Sequence, residues 1–110
     1  PYSQAVQAGG MLFTSGQLGI DPATGELAAG VEAQAEWSMR NLGEILKQAG
    51  LTYADIVKTT VFVTDLGDFA TVNVVYQRFF EEGYPARSCV QVAALPKGGL
   101  VEIECVAIRA

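Results

Sequence analysis

The sequence contains no histidine. That removes the usual general base at neutral pH, and with it Ser–His and Cys–His nucleophile pairs and His-ligated zinc. Acid–base work is left to carboxylates, lysine, tyrosine, cysteine or water. Cysteine is scarce as well. Cys89 and Cys105 make no metal or redox motif, and such sparse use suits a reducing compartment, so the expected location is cytoplasmic. Basic residues number 7 against 12 acidic ones, for a net charge of −5, and no stretch clusters them. A nucleic-acid partner is therefore not expected. No apolar run approaches the roughly 20 residues of a membrane span. No signal peptide is recognisable, although the chain starts abruptly at Pro1, so no membrane association is expected. Dinucleotide fingerprints, P-loops and zinc spacings are all missing, and neither metal nor cofactor is expected.

What is present is a short, apolar, ordered chain. Its 110 residues fit one domain, 1–110, and half of them are hydrophobic. A mean hydropathy of +0.26 is high for a small soluble monomer, because a short chain buries only part of its apolar surface. Some of that surface is expected to be covered by further copies of the chain.

The pattern along the chain reads ββαβαββ. Ala5–Ala8 and Met11–Ser15 flank a Gly9-Gly10 turn. Asp21-Pro22-Ala23-Thr24-Gly25 has loop chemistry. Ala35, Met39, Leu42, Leu46 and Ala49 then recur at helical spacing, which predicts a helix from Val31 to Ala49 stopped by Gly50. Gly43 inside it points to close packing. The β-branched run Ile56–Thr64 predicts a central strand. Asp68 reads as the N-cap of a second helix with Phe69, Val72, Tyr76 and Phe79/Phe80 as its apolar stripe. Arg87–Ala93 and Val101–Ile108 complete the set as strands. The predicted class is α+β, a two-layer sandwich with both helices on one sheet face.

Strand alternation places Glu102 and Glu104 with Val106 and Ile108. If Arg87–Ala93 lies beside that strand, Arg87 and Cys89 join them on one face. Arg87 can then hold a carboxylate through two parallel hydrogen bonds, or pair with Glu102 or Glu104, and spacing alone favours the ion pair. Glu102, partly buried, can hold a water or move a proton, or simply be solvated. Cys89 has no histidine to activate it, and reads better as a small buried thiol. Ser15 can donate to a ligand and Gly16 permits close backbone approach, although both suit an ordinary turn. Asn73 can contact a ligand or brace a loop. The Tyr2 phenol can close over a site or belong to a loose end.

Several segments in order are similar to the Rid family of reactive intermediate deaminases. They are Pro1-Tyr2-Ser3-Gln4-Ala5-Val6, Ser15-Gly16-Gln17, Asn41-Leu42, Val57-Lys58-Thr59-Thr60-Val61-Phe62 and Val72-Asn73-Val74-Val75-Tyr76. The most specific are Pro85-Ala86-Arg87-Ser88-Cys89-Val90, Leu95-Pro96-Lys97 and Val101-Glu102-Ile103-Glu104. The resemblance is nearest to the 2-iminobutanoate/2-iminopropanoate deaminase branch. It implies a chorismate-mutase-like fold, a homotrimer with sites between subunits, and hydrolysis of 2-enamino and 2-imino acids such as 2-aminoacrylate to 2-oxo acids and ammonia. It also implies that Arg87 binds the substrate carboxylate and Glu102 positions the attacking water, while Tyr2, Ser15, Gly16, Asn73 and Cys89 line the site. Two departures stand out: the family carries a short segment before the Pro1-Tyr2 position, and it often has a smaller residue at Cys105. The alternatives are a trimeric module that binds small carboxylates without turnover, a chaperone-like role for exposed hydrophobes, and the translation-inhibitor ribonuclease role attached to some members. The last is disfavoured by the missing histidine and the negative charge.

Overall fold

The computed structural model describes residues 1–109. Its strands are β1 (Ala5–Ala8), β2 (Met11–Thr14), β3 (Gln17–Leu18), β4 (Ile20–Asp21), β5 (Glu26–Leu27), β6 (Ile56–Val63), β7 (Ala86–Gln91) and β8 (Val101–Ile108). Two helices, α1 (Val31–Gln48) and α2 (Phe69–Gln77), complete the mixed α+β fold. The sequence order ββαβαββ is present, with three two-residue strands added before α1. The predicted boundaries hold to within two residues for most elements. Among the described residues no helix is long and apolar enough to cross a membrane.

Local chemistry accounts for the boundaries. Gly9 and Gly10 both have positive φ, 56° and 81°, which a two-residue hairpin turn requires. Helix α1 ends in a paired cap: Gly50 at φ 75° donates to the Lys47 carbonyl, and Leu51 donates to that of Leu46. The start of α2 corrects the expectation for Asp68. Its side chain makes no capping hydrogen bond. A turn of 3₁₀-helix, Leu66–Asp68, precedes α2, and Asp65 caps that turn by accepting from the Gly67 N–H at 2.8 Å. The extra turn moves the free amides upstream, so the acid that satisfies them is Asp65.

The main sheet runs β1-β2-β8-β6-β7, with β3 also paired to β8. Its long central strands, β6 and β8, are antiparallel, and β7 joins the far edge of β6 in parallel. A parallel pair needs a crossover, and α2 provides it. One sheet face packs against the helices. Met39, Leu42 and Leu46 from α1, Val72 and Val75 from α2, and Val61, Val63, Val101, Ile103 and Ala107 from the sheet are fully buried there. Each such side chain contributes about 1.5–3 kcal/mol relative to exposure. Polar groups inside are mostly paired. Gln34 donates to the Ala28 carbonyl and accepts from the Leu100 N–H, and Thr59 and Tyr76 share a 2.7 Å hydroxyl contact. The buried Ser38 hydroxyl has no partner, and the structure gives no account of it.

The other sheet face is open. By register it carries Val6, Phe13, Val106, Ile108, Thr60, Phe62, Glu102 and Glu104. Val6, Phe13, Val90 and Ile108 are 42–55% exposed, a large apolar share for one face of a small protein.

Candidate functional site

Strand order overturns one expectation at once. β6 lies between β7 and β8, so Arg87 and Glu102 are not on neighbouring strands. Arg87 is in register with Thr59 and Cys105, both buried under the helices. Glu102 pairs with Phe62 on the open face. Alternation therefore puts Arg87 and Cys89 on the helix side, and Glu102 and Glu104 on the other. Two strands across and three residues along separate Arg87 from Glu102, roughly 14 Å by strand spacing and rise. The ion-pair alternative for Arg87 fails with it. Among the described residues the one salt bridge joins Arg40 to Glu36 on α1.

Arg87 instead meets α2. Its Nη1 donates to Asn73 Oδ1 at 2.7 Å. Its guanidinium carbon lies 5.4 Å from the Phe69 ring centre and 4.9 Å from that of Tyr76. Among the described residues no carboxylate neutralises it, so the charge is available to an incoming anion. Cys89 is half-buried two residues on. Burial pushes its thiol above the ordinary value, and Arg87 only partly offsets this. Cys89 is thus held as a thiol at neutral pH, not as a reactive thiolate.

The second cluster forms where β2 breaks before β3. Ser15 and Gly16 fill the break, and the Thr14 hydroxyl accepts from the Cys105 N–H at 2.9 Å across it. Gly16 is placed against Glu102: a Cβ there would lie 2.7 Å from the Glu102 carboxyl carbon. Tyr2, Gly16, Gln17, Lys97 and Glu102 border a shallow hollow of about 380 Å³. Burial, and then repulsion from Glu104, raises the Glu102 carboxyl above its ordinary 4.5. The Ser15 hydroxyl donates to the Ser3 carbonyl at 2.6 Å, so it ties down the Tyr2 segment while keeping lone pairs free. Two other hollows, of about 500 and 700 Å³, hold none of the predicted site residues.

The endoribonuclease L-PSP family model matches residues 1–109. The chain belongs to this family, the Rid family. A RutC family protein of Haemophilus influenzae is 57% identical, over 99% of this chain and 87% of its own length. The 2-iminobutanoate/2-iminopropanoate deaminase of Escherichia coli is 55% identical, over 99% of this chain and 88% of its own. Among solved structures, Escherichia coli TdcF with bound serine superposes with a TM-score of 0.96 at 54% identity, covering 100% of this chain and 89% of that one.

In this Rid chain the predicted residues fall into two groups, Arg87–Asn73–Cys89 and Tyr2–Ser15–Gly16–Glu102, with Arg87 and Glu102 on opposite faces of one sheet. Phe69 and Tyr76 belong to the apolar stripe that the sequence pattern assigns to α2, and nothing in that pattern signals their place beside Arg87. The pattern also gives Lys97 no role of its own. Lys97 has a positive φ of 59°, uncommon for a non-glycine residue, and its segment was visible only as part of a family motif.

Proposed function

We propose that this chain, as one Rid-type domain over 1–110, is a hydrolytic deaminase of reactive 2-enamino and 2-imino acids such as 2-aminoacrylate. It acts as a homotrimer of chorismate-mutase-like subunits, with each site between two of them. The observation that carries this reading is the division of the site. An uncompensated cation, Arg87, and a proton-accepting carboxylate with raised affinity for protons, Glu102, stand on opposite faces of one sheet. One chain cannot bring both to a small acid, but two copies can. The exposed apolar residues of the open face supply a surface for that association. The deaminase names of relatives above 50% identity support the same chemistry. The serine bound to TdcF supports a ligand of amino-acid size.

The chemistry asks little of the protein. The imine carbon is already electrophilic. Arg87 of one subunit holds the carboxylate by a bidentate contact, with Asn73 fixing the guanidinium. Glu102 of the other accepts a hydrogen bond from water and takes its proton as oxygen bonds to carbon. The nitrogen of the tetrahedral adduct is protonated, the C–N bond breaks, and a 2-oxo acid and ammonia leave. An enamine must first gain a proton at its terminal carbon. Tyr2, Ser15, Gly16 and Cys89 line the space between. The steps use side chains and water alone, the setting is cytoplasmic, and neither a membrane nor nucleic acid takes part.

The test is a coupled assay in which a serine or threonine dehydratase releases the intermediate. Added protein should accelerate 2-oxo acid formation, and Arg87→Ala should abolish the acceleration. Acceleration absent from wild type would overturn the enzyme reading. Calorimetric binding of 2-oxobutanoate without turnover would establish the carboxylate-binding module instead.

A further inference from the structure

We infer that Phe69 and Tyr76 are positioning residues for Arg87, forming an aromatic seat that aims the guanidinium without neutralising it. This rests on the proposal that Arg87 binds the substrate carboxylate. Phe69, Asn73 and Tyr76 stand at i, i+4 and i+7 on α2, so one stripe of the helix faces the Arg87 side chain. The stripe offers a ring at each end, at 5.4 and 4.9 Å from the guanidinium carbon, and an amide oxygen between them at 2.7 Å. Asn73 occupies one Nη1 hydrogen and leaves most of the fork free.

The alternative way to hold an arginine is a carboxylate, and among the described residues none does so. A carboxylate would fix the side chain but compete with the substrate for the same charge. Rings attract the cation through their quadrupoles and bury its flat face, yet leave its N–H edge and its charge available. The seat is itself braced. Tyr76 is 5% exposed and its hydroxyl meets that of Thr59 at 2.7 Å, on the β6 residue in register with Arg87. Phe69 differs. It is 41% exposed, and its ring centre lies 5.4 Å from the guanidinium carbon.

The experiment uses Phe69→Leu and Phe69→Tyr in the intact protein, since Phe69 is the less buried ring and its replacement leaves the core in place. Kinetics in the dehydratase-coupled assay and calorimetry with 2-oxobutanoate are read together. Phe69→Leu should raise KM and the 2-oxobutanoate dissociation constant roughly three- to tenfold, with kcat within about twofold, because the ring helps hold the carboxylate equally in ground and transition states. Phe69→Tyr keeps a ring and should restore both constants. A purely structural role would lower Tm and kcat in both variants without a selective loss of carboxylate affinity. Equal 2-oxobutanoate binding by Phe69→Leu and wild type, or no binding by wild type, overturns the seat. Wild type that binds but does not turn over leaves the seat to be decided by calorimetry, and removes only the deaminase reading.

Discussion

In the proposed mechanism Glu102 takes the proton from water, so its proton affinity bears directly on the rate. To take a proton from water it must be ionised, so activity should fall as the pH drops through its raised pKa. The acid limb of kcat/KM is therefore expected above the ordinary 4.5. Glu104 shares its face and contributes the repulsive part of the shift. Glu104→Gln should move the acid limb down towards 4.5 while retaining activity, and a limb that stays put would mean that burial alone sets it. The stability effect has the opposite sense. Because the folded pKa is raised, charged Glu102 disfavours the folded state; this cost is absent below about 4.5 and develops as pH rises through the shifted value. At this scale the sequence was informative about identity and poor about company. Arg87, Glu102 and Gly16 stand out through their motifs. What surrounds Arg87, two rings and an amide from α2, depends on how a helix crosses a strand, which residue spacing does not encode.

Elements whose boundaries depend on local chemistry were legible; their neighbours were not. The 3.6-residue rhythm of Ala35, Met39, Leu42 and Leu46 and the glycine after Ala49 define α1 from sequence. Alternation defines both faces of β8, with Val101, Ile103, Cys105 and Ala107 buried as expected. Alternation along β7 is equally clear, but which side is inner depends on what covers it. A strand bearing Arg87 and Gln91 against Val90 and Val92 suggests valines inside. The structure turns Arg87 inward, because α2 presents a stripe that receives a cation, and leaves Val90 outside at the sheet edge. Gly43 is the element-scale case that can be measured. A Cβ there would lie 2.1 Å from the Tyr53 hydroxyl oxygen and 2.7 Å from its ring carbon. That hydroxyl donates to the Met39 carbonyl at 2.7 Å, and burial pushes its pKa up to about 12. Gly43→Ala gains about 1 kcal/mol of helix propensity but loses about 1–3 kcal/mol to overpacking and the displaced hydrogen bond. A Tm several degrees lower is expected by calorimetry, whereas an unchanged Tm would mean that Tyr53 moves aside without cost.

At the scale of the whole molecule, the two residue clusters determine what the assembly has to do. Each subunit carries an Arg87 group on one side of its sheet and a Glu102 group on the other. In the proposed homotrimer, a closed ring of three forms three sites, each joining the arginine side of one copy to the glutamate side of the next. This arrangement predicts complementation between inactive variants. Arg87→Ala and Glu102→Gln should each be inactive alone, since every site in either homotrimer lacks one group. Unfolded together in equal amounts and refolded, about three-quarters of random trimers contain both kinds of subunit, and each of those has one intact site out of three. Activity should therefore recover to about a quarter of wild type. If both groups instead served a site within one chain, no combination of the two variants could restore it, and the mixture would remain as inactive as its parts. The recovery depends on subunits mixing within one ring, so separately refolded controls combined without exchange should show no gain.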